Sequence, residues 1–307
     1  MLSIVSYPER GNYGNNRYRG NCSGKLIEDI IDQYRLEGLS DFMVGSGTTE
    51  DVIRSRGLRG DFADLNRGFD MLSMDIPERA ENIFWHPPYH DMIQYSDSMY
   101  SSRQVESMFG LSAETIAEHD LSRCRSWEEF IEAMNYCMMK QFSALEKGGR
   151  MFTLMGDMKR RGVLYSMLAD CAKIGTLEQI IIKQQHNCVS DGRQYSGRFV
   201  PIVHEYLMVT RKDSDLIIPV ATTIRQQVDL RDCPSASWRD ILLNVLNEHG
   251  ECSLEQLYGL MNGRAKTRTN PHWQEKIRQT LQNNKYFMRK SRGVYISFSR
   301  LKPGSMP

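Results

Sequence analysis

Residues 83–89 read Ile-Phe-Trp-His-Pro-Pro-Tyr. An apolar run that feeds straight into two prolines must stop being a strand there, because neither proline has an N–H to give to a neighbouring strand. The pair fixes a strand end and a turn within a few residues. It also fixes what that turn can offer a ligand: carbonyl oxygens and the Tyr89 ring, with no competing backbone donor. Such a turn suits a planar group bearing an exocyclic amine, whose hydrogens the carbonyls accept while the ring stacks on its face. A second signal lies upstream in Asp41-Phe-Met-Val-Gly45-Ser46-Gly47-Thr48-Thr49. This is a small-residue turn between a strand and a helix, where a ligand can approach backbone N–H groups at a helix start.

Periodicity places both turns in an α/β framework. Leu26, Ile27, Ile30 and Ile31 recur at helical spacing over Gly24–Tyr34. A short strand ends near Asp41–Val44, and a helix follows the glycine turn to about Arg56. Asp61–Asp64 sits near the end of a second strand. Residues 90–125 are polar, Ser- and Met-rich and weakly periodic, the mark of a long excursion that holds substrate. Trp127–Leu145 is a strong helix whose methionine stripe packs against the sheet, and Lys147-Gly148-Gly149 ends it. Met151–Met155 is a strand and Tyr165–Ala172 a helix. Leu177–Lys183 and His204–Thr210 form an antiparallel pair across the polar stretch 184–200. The expected fold is a Rossmann-like, doubly wound sheet with helices on both faces and a terminal antiparallel hairpin. Residues 7–23, rich in Gly, Asn, Arg and Tyr, read as an irregular arm.

The C-terminal third reads differently. Domain boundaries are expected at 1–212 for the α/β domain, 213–236 for a linker carrying one strand, 237–299 for a small module and 300–307 for a tail. Ser237 caps a helix over Trp238–Glu248, and Ser253-Leu-Glu-Gln256 is a capping box opening a second to about Met261. Pro271-His272-Trp273 opens a third, through Asn283. Tyr286–Lys290 and Val294–Phe298 flank Ser291-Arg292-Gly293, a hairpin signal. Three helices and a hairpin make a winged-helix pattern. Arg264, Lys266, Arg268, Lys276, Arg278, Lys285, Arg289, Lys290 and Arg292 face a single acid, Glu275. A basic helix and wing suit phosphate contact and groove reading, with protein contact as the competing reading. Arg193 and Arg198, beside Tyr195 and Phe199, are a second candidate nucleic-acid contact, with simple closure of the hairpin as the competing reading.

Composition excludes several classes. The chain of 307 residues has a net charge of +1, so a nucleic-acid footprint must be a local patch. No run of about 18 apolar residues exists to span a membrane, and the N-terminus lacks the basic-then-apolar layout of a secretory signal. The seven cysteines show no CxxC pair and read as reduced thiols of a cytoplasmic protein. No metal is expected: Cys124 with His119 or His90 fits no common ligand spacing. Asp64, 17 positions past Gly47 and at a strand end, suits a ribose diol. The full GxGxxG fingerprint is missing, which disfavours a dinucleotide.

Taken in this order, the motifs resemble those of the amino-group DNA methyltransferases, which use S-adenosylmethionine to make N6-methyladenine or N4-methylcytosine. His86-Pro87-Pro88-Tyr89 resembles their catalytic motif at three of four positions, the family having Asp, Asn or Ser first. Asp41–Thr49 resembles their cofactor motif without its proline, and residues 20–31 resemble the segment that opens the helix completing the cofactor pocket. Leu145–Met151 and His204–Val209 resemble the later strand regions. The resemblance covers roughly residues 18–212. It implies catalytic roles for His86, Pro87, Pro88 and Tyr89, and cofactor contacts from Asn21, Cys22, Ser23, Asp41, Met43, Gly45, Gly47, Thr48 and Asp64. It also implies double-stranded DNA and a cognate restriction endonuclease as partners, for a monomer or homodimer. No recognition domain fits between the glycine turn and the catalytic turn, so recognition falls to 90–125, 184–200 or the C-terminal module. His86 departs from the pattern. A neutral imidazole replaces a carboxylate as acceptor but not in charge, and loses the acceptor once protonated. An RNA amino-methyltransferase and a DNA-binding regulator with a degenerate site are the alternatives.

Overall fold

The computed structural model describes residues 1–15, 17–98, 113–186 and 199–298. Two compact units divide the chain, Met1–Thr223 and Ile224–Pro307, so the division falls inside the stretch read as a linker.

The first unit is built on a sheet ordered β1 (Ile4–Ser6), β7 (Thr176–Gln184), β8 (His204–Arg211), β3 (Arg150–Met155), β2 (Ile83–Trp85). β2 runs parallel to β3, while β8 is antiparallel to both β3 and β7. Beyond β2, single parallel bridges from Ser40 to Ile83, Asp41 to Phe62 and Gly38 to Arg59 add two more extended segments. The result is the expected Rossmann-like sheet: a parallel half that ends in the glycine turn and the Pro-Pro turn, and an antiparallel hairpin on the far side. Strand alternation explains the layering. Phe84, Phe152, Leu154, Leu207 and Val209 face the helices α1 (Gly24–Tyr34) and α2 (Thr48–Ser55). Ile83, Trp85, Met151, Met155 and Met208 face α3 (Trp127–Ala144). Leu26, Ile27 and Ile30 of α1 are wholly buried, each contributing about 2 kcal/mol by area. Ser126 caps α3 by accepting the Glu129 N–H.

Two features depart from the sequence reading, and a third agrees with it. Tyr165 belongs to a strand, not a helix. β4 (Asp157–Arg160) and β5 (Val163–Ser166) form a hairpin around Arg161 and Gly162, both at positive φ, and only Met167–Asp170 is helical, capped by Ser166. The polar hairpin has no clean alternation, so periodicity missed it. β1 adds a parallel edge strand next to β7, too short to signal itself. The strand expected in the linker is β9 (Val220–Ala221), paired with β6 (Lys173–Ile174). Among the described residues no helix is long and apolar enough to cross a membrane.

The second unit packs α4 (Trp238–His249), α5 (Leu254–Met261) and α6 (Trp273–Leu281) around Leu242, Leu246, Leu257, Ile277 and Phe287. A small sheet is ordered β10 (Cys252–Ser253), β12 (Val294–Ser297), β11 (Phe287–Ser291). The capping box is formed: Ser253 Oγ accepts the Gln256 N–H at 3.1 Å and Gln256 Oε1 accepts the Ser253 N–H at 2.8 Å. A short helix over Ala265–Arg268 was not expected.

Candidate active site

The glycine turn is held by two buried carboxylates. Asp41 accepts the Met43 N–H at 3.0 Å and the Thr49 hydroxyl at 2.7 Å. Burial pushes its pKa up to about 7 against those hydrogen bonds. Asp64 accepts the Gly45 N–H at 2.8 Å through Oδ2 and the Asn66 N–H at 3.0 Å through Oδ1. Burial raises its pKa as well, against the same two backbone bonds. Gly45 and Gly47 take φ of 48° and 86°, a region that side chains with a Cβ rarely enter. The N-terminal arm lies across the turn. The Asn15 N–H reaches Ser46 O at 3.0 Å, the Gly14 N–H reaches Asp51 at 2.8 Å, and a Cβ on Gly45 would meet the Tyr18 ring at 3.2 Å.

The Pro-Pro turn is tied to the hairpin by a buried polar chain. His86 Nε2 lies 3.0 Å from the Tyr89 hydroxyl, which donates to Glu205 Oε1 at 2.8 Å. Lys183 Nζ donates to Glu205 Oε2 at 2.7 Å. Glu205 is 5% exposed and Lys183 8%, so the pair is a desolvated one. Burial works to raise the Glu205 carboxyl, but Lys183, then His86 and the Tyr89 bond, hold it below its ordinary value. Burial and then Glu205 drive the Tyr89 phenol well above its own. The Tyr89 ring lies on Gly156, where a Cβ would come within 2.3 Å of it.

His86 is the departure that matters most. Burial brings its pKa down to about 4, with Glu205 pulling upward and Lys183 downward. The imidazole is thus neutral through the mildly acidic range, and the acid sensitivity expected of an ordinary histidine moves to lower pH. The sign follows from linkage: a depressed histidine is favoured in the folded state above its unfolded pKa, and that contribution is lost as pH falls through the folded one. Activity is expected to hold between about pH 8 and about pH 5.5 and to fall only below, where an unperturbed histidine would be half lost near its usual pKa of about 6.5. A pH–rate profile at saturating ligand measures this.

One cleft gathers most of the predicted residues. Asn21, Cys22, Asp41, Met43, Gly45, Thr48 and Asp64 line it, and so do His86 and Pro88. Four predicted residues stand outside its lining. Gly47 caps α2, Ser23 precedes α1 with its hydroxyl on Arg10 O at 3.2 Å, Pro87 is buried, and Tyr89 sits on Gly156. Sequence reasoning missed Asp70, His119 and Asp120 in the same cleft. His119 Nδ1 and Ser73 Oγ both contact Asp70 Oδ2. Nothing in their local pattern marks them, because the 65–72 and 119–121 segments meet only in the fold. Glu205 and Lys183 had a signal: opposite charges inside two apolar runs, which the hairpin register sets directly across from each other. Among the described residues no group of three His, Cys, Asp or Glu is placed to hold a metal.

The predicted nucleic-acid residues divide. Arg193 and Arg198 lie outside the described residues. In the second unit Arg264 is committed to Asp232 at 2.9 Å and Asp229 at 3.2 Å, and Lys266 donates to Pro234 O at 3.2 Å. Arg278 donates to Tyr258 and Glu275, both at 2.9 Å, and Lys276 to Gln279 at 3.0 Å. Arg268, Lys276, Arg278, Arg289 and Arg292 are exposed.

No protein-family model matches the chain, and no curated protein sequence does. Solved structures do. A candidate DNA modification methylase from Thermus thermophilus is 13% identical over 62% of this chain and 57% of that one, with a TM-score of 0.29. TehB from Haemophilus influenzae gives 10% identity over 61% and 62%, with a TM-score of 0.30. TrmN from Thermus thermophilus gives 14% over 63% and 50%, with a TM-score of 0.27. The match thus spans under two thirds of the length of each of these proteins. At these values they decide nothing about substrate, and the chemistry rests on the residues of the cleft.

Proposed function

We propose that this protein transfers a methyl group from S-adenosylmethionine to an exocyclic amine of a base in double-stranded DNA, adenine N6 ahead of cytosine N4. One observation carries the reading: the glycine turn and the Pro-Pro turn, separate in sequence, line a single cleft. The cofactor fits the charge of that cleft. Asp41, Asp64, Asp70 and Asp120 all line it, and Asp41 and Asp64 are raised by burial, with Asp64 adding to the rise at Asp41. A cationic ligand relieves that repulsion. Asp64 and the glycine turn would hold the ribose side of the molecule, beside Asn21 and Cys22. When bound, S-adenosylmethionine supplies an electrophilic methyl group on a sulfonium.

The remaining work falls to this chain's own residues. An aromatic exocyclic amine is a poor nucleophile because its lone pair is spread into the ring. Acceptors aimed at its hydrogens favour a more tetrahedral nitrogen with a localised pair. The His86 ring, which lines the cleft, supplies one acceptor; the resembled motif assigns the second to Pro87 O and base stacking to Tyr89, which both border the cleft through their neighbours His86 and Pro88, and rate comes from positioning and electrostatics. The second unit reads as a winged helix whose exposed Arg268, Lys276, Arg278, Arg289 and Arg292 contact phosphates.

Incubation with methyl-labelled cofactor and duplex DNA, followed by digestion, tests the reading directly. Labelled N6-methyladenine or N4-methylcytosine is expected. Label confined to structured RNA would turn the assignment to an RNA amino-methyltransferase, and none in either would point to a regulator. The negative charge of the cleft has a consequence for pH. Affinity for S-adenosylmethionine should rise about fivefold from about pH 6 to about pH 8 as Asp41 ionises, while that of the uncharged thioether product should not. Calorimetry at the two pH values decides it, and an equal response for both ligands would refute the fit.

A further inference from the structure

We propose that Glu205 and Lys183 are positioning residues that act through Tyr89 to lock His86 in one neutral tautomer, with the proton on Nε2 and a bare Nδ1 turned to the cleft. The inference deepens the amine-methylation reading and rests on it for its consequence, though not for its geometry.

Counting protons along the relay fixes the tautomer. A carboxylate only accepts. Glu205 carries its charge because Lys183 donates to Oε2 at 2.7 Å. The Tyr89 hydroxyl, 2.8 Å from Oε1, therefore spends its single proton on Glu205. Toward His86 Nε2, 3.0 Å away, the same oxygen has only a lone pair left to offer. A bond between them requires the hydrogen to sit on Nε2. A neutral ring has one N–H, so Nδ1 is then a pure acceptor. Among the described residues Nδ1 has no hydrogen-bond partner, and it is not one of the buried polar atoms left unsatisfied. It therefore reaches open space, and the space that His86 borders is the ligand cleft.

The reverse arrangement would be inert. With the hydrogen on Nδ1, His86 would point a donor at an amine that already carries two hydrogens, and the lone pair would not be drawn out. A free imidazole populates both neutral forms, so the relay turns an ambiguous ring into a fixed acceptor. This is how a histidine stands in for the acidic, amide or hydroxyl side chain expected at position 86. The second half of the relay comes from the hairpin: Lys183 and Glu205 lie opposite each other in register, on β7 and β8. The charged and titratable groups that act on this cluster are Glu205 and Lys183 from the hairpin, Tyr95 from the segment after the Pro-Pro turn, and Cys22 before α1. None of these supplies a second proton acceptor to His86 Nε2.

The test reads the tautomer directly. Protein labelled with 15N at histidine rings is examined by long-range 1H–15N correlation, with His86→Asn assigning the His86 signals. A protonated Nε2 and an unprotonated Nδ1 are expected at neutral pH, with or without substrate. Tyr89→Phe keeps the ring for stacking but breaks the relay. It should mix the two tautomers and lower kcat at least about tenfold, since a mis-set tautomer is costly when geometry is kept. Glu205→Gln with Lys183→Met removes both charges together, which guards against an unpaired buried ion. In this double variant the neutral amide can donate to the Tyr89 oxygen, freeing the hydroxyl proton for His86, and Nδ1 should become protonated. A wild-type signal with the hydrogen on Nδ1, or a Tyr89→Phe spectrum unchanged from wild type, overturns the proposal. Because the spectrum needs no turnover, the expected tautomer in a protein that methylates no DNA would sink the functional reading and leave this one standing. The opposite pair of results would do the reverse.

Discussion

His86→Ala is expected to reduce methyl transfer by about 100- to 1,000-fold, the usual cost of removing one positioned hydrogen-bonding group from a site that handles developing charge. Affinity for S-adenosylmethionine should change by less than about twofold, because His86 hydrogen-bonds Tyr89 and none of the residues proposed to hold that ligand. His86→Asp, which restores the residue type of the resembled motif, is expected to do no better than alanine. Glu205 Oε1 lies 4.0 Å from His86 Nε2. A second buried carboxylate there would share the neighbourhood of the first, and the pair could not both ionise. Single-turnover rates of the three proteins, with binding measured in parallel, give the answer. A gain of activity in His86→Asp would mean that the histidine marks a decayed site.

Gly156→Ala is the second large effect. The added methyl would lie 2.3, 2.7 and 2.8 Å from three atoms of the Tyr89 ring. No rotation of alanine removes that overlap, so the ring must move and its bond to Glu205 must stretch or break. Overpacking of this kind costs about 1–3 kcal/mol of stability. Transfer should fall about 10- to 100-fold as the turn is displaced. Gly259→Ala is the contrast. It lies in α5 with open space around the new methyl, and is expected to stabilise by about 0.5–1 kcal/mol. Denaturant melts of both variants check the sign, and transfer rates check that only Gly156 touches the site.

Much of this architecture was legible in the residues. α1 has the bounds that its apolar spacing gave, Gly24–Tyr34, because Leu26, Ile27, Ile30 and Ile31 make one buried face. α3 and the hairpin strands lie within a residue or so of their expected limits, since long periodic segments advertise themselves. The glycine turn and the Pro-Pro turn were legible because glycine and proline act locally. What was not legible has the opposite character. The role of Gly156 depends on a ring 67 positions away in the chain. Asp70 and His119 meet across 49 positions. The depressed pKa of His86 comes from burial, which a sequence window does not report. The β4–β5 hairpin has no clean alternation of apolar and polar residues, so it shows no strand period.

The arm over the glycine turn carries a practical lesson. Its Asn15 and Gly14 amides are spent on Ser46 and on the second helix, and Tyr18 roofs the first glycine. A worker who trims the front of the chain to obtain a tidier protein would be unroofing the cleft. Such a shortened version would be a poor witness to the affinity for S-adenosylmethionine proposed above.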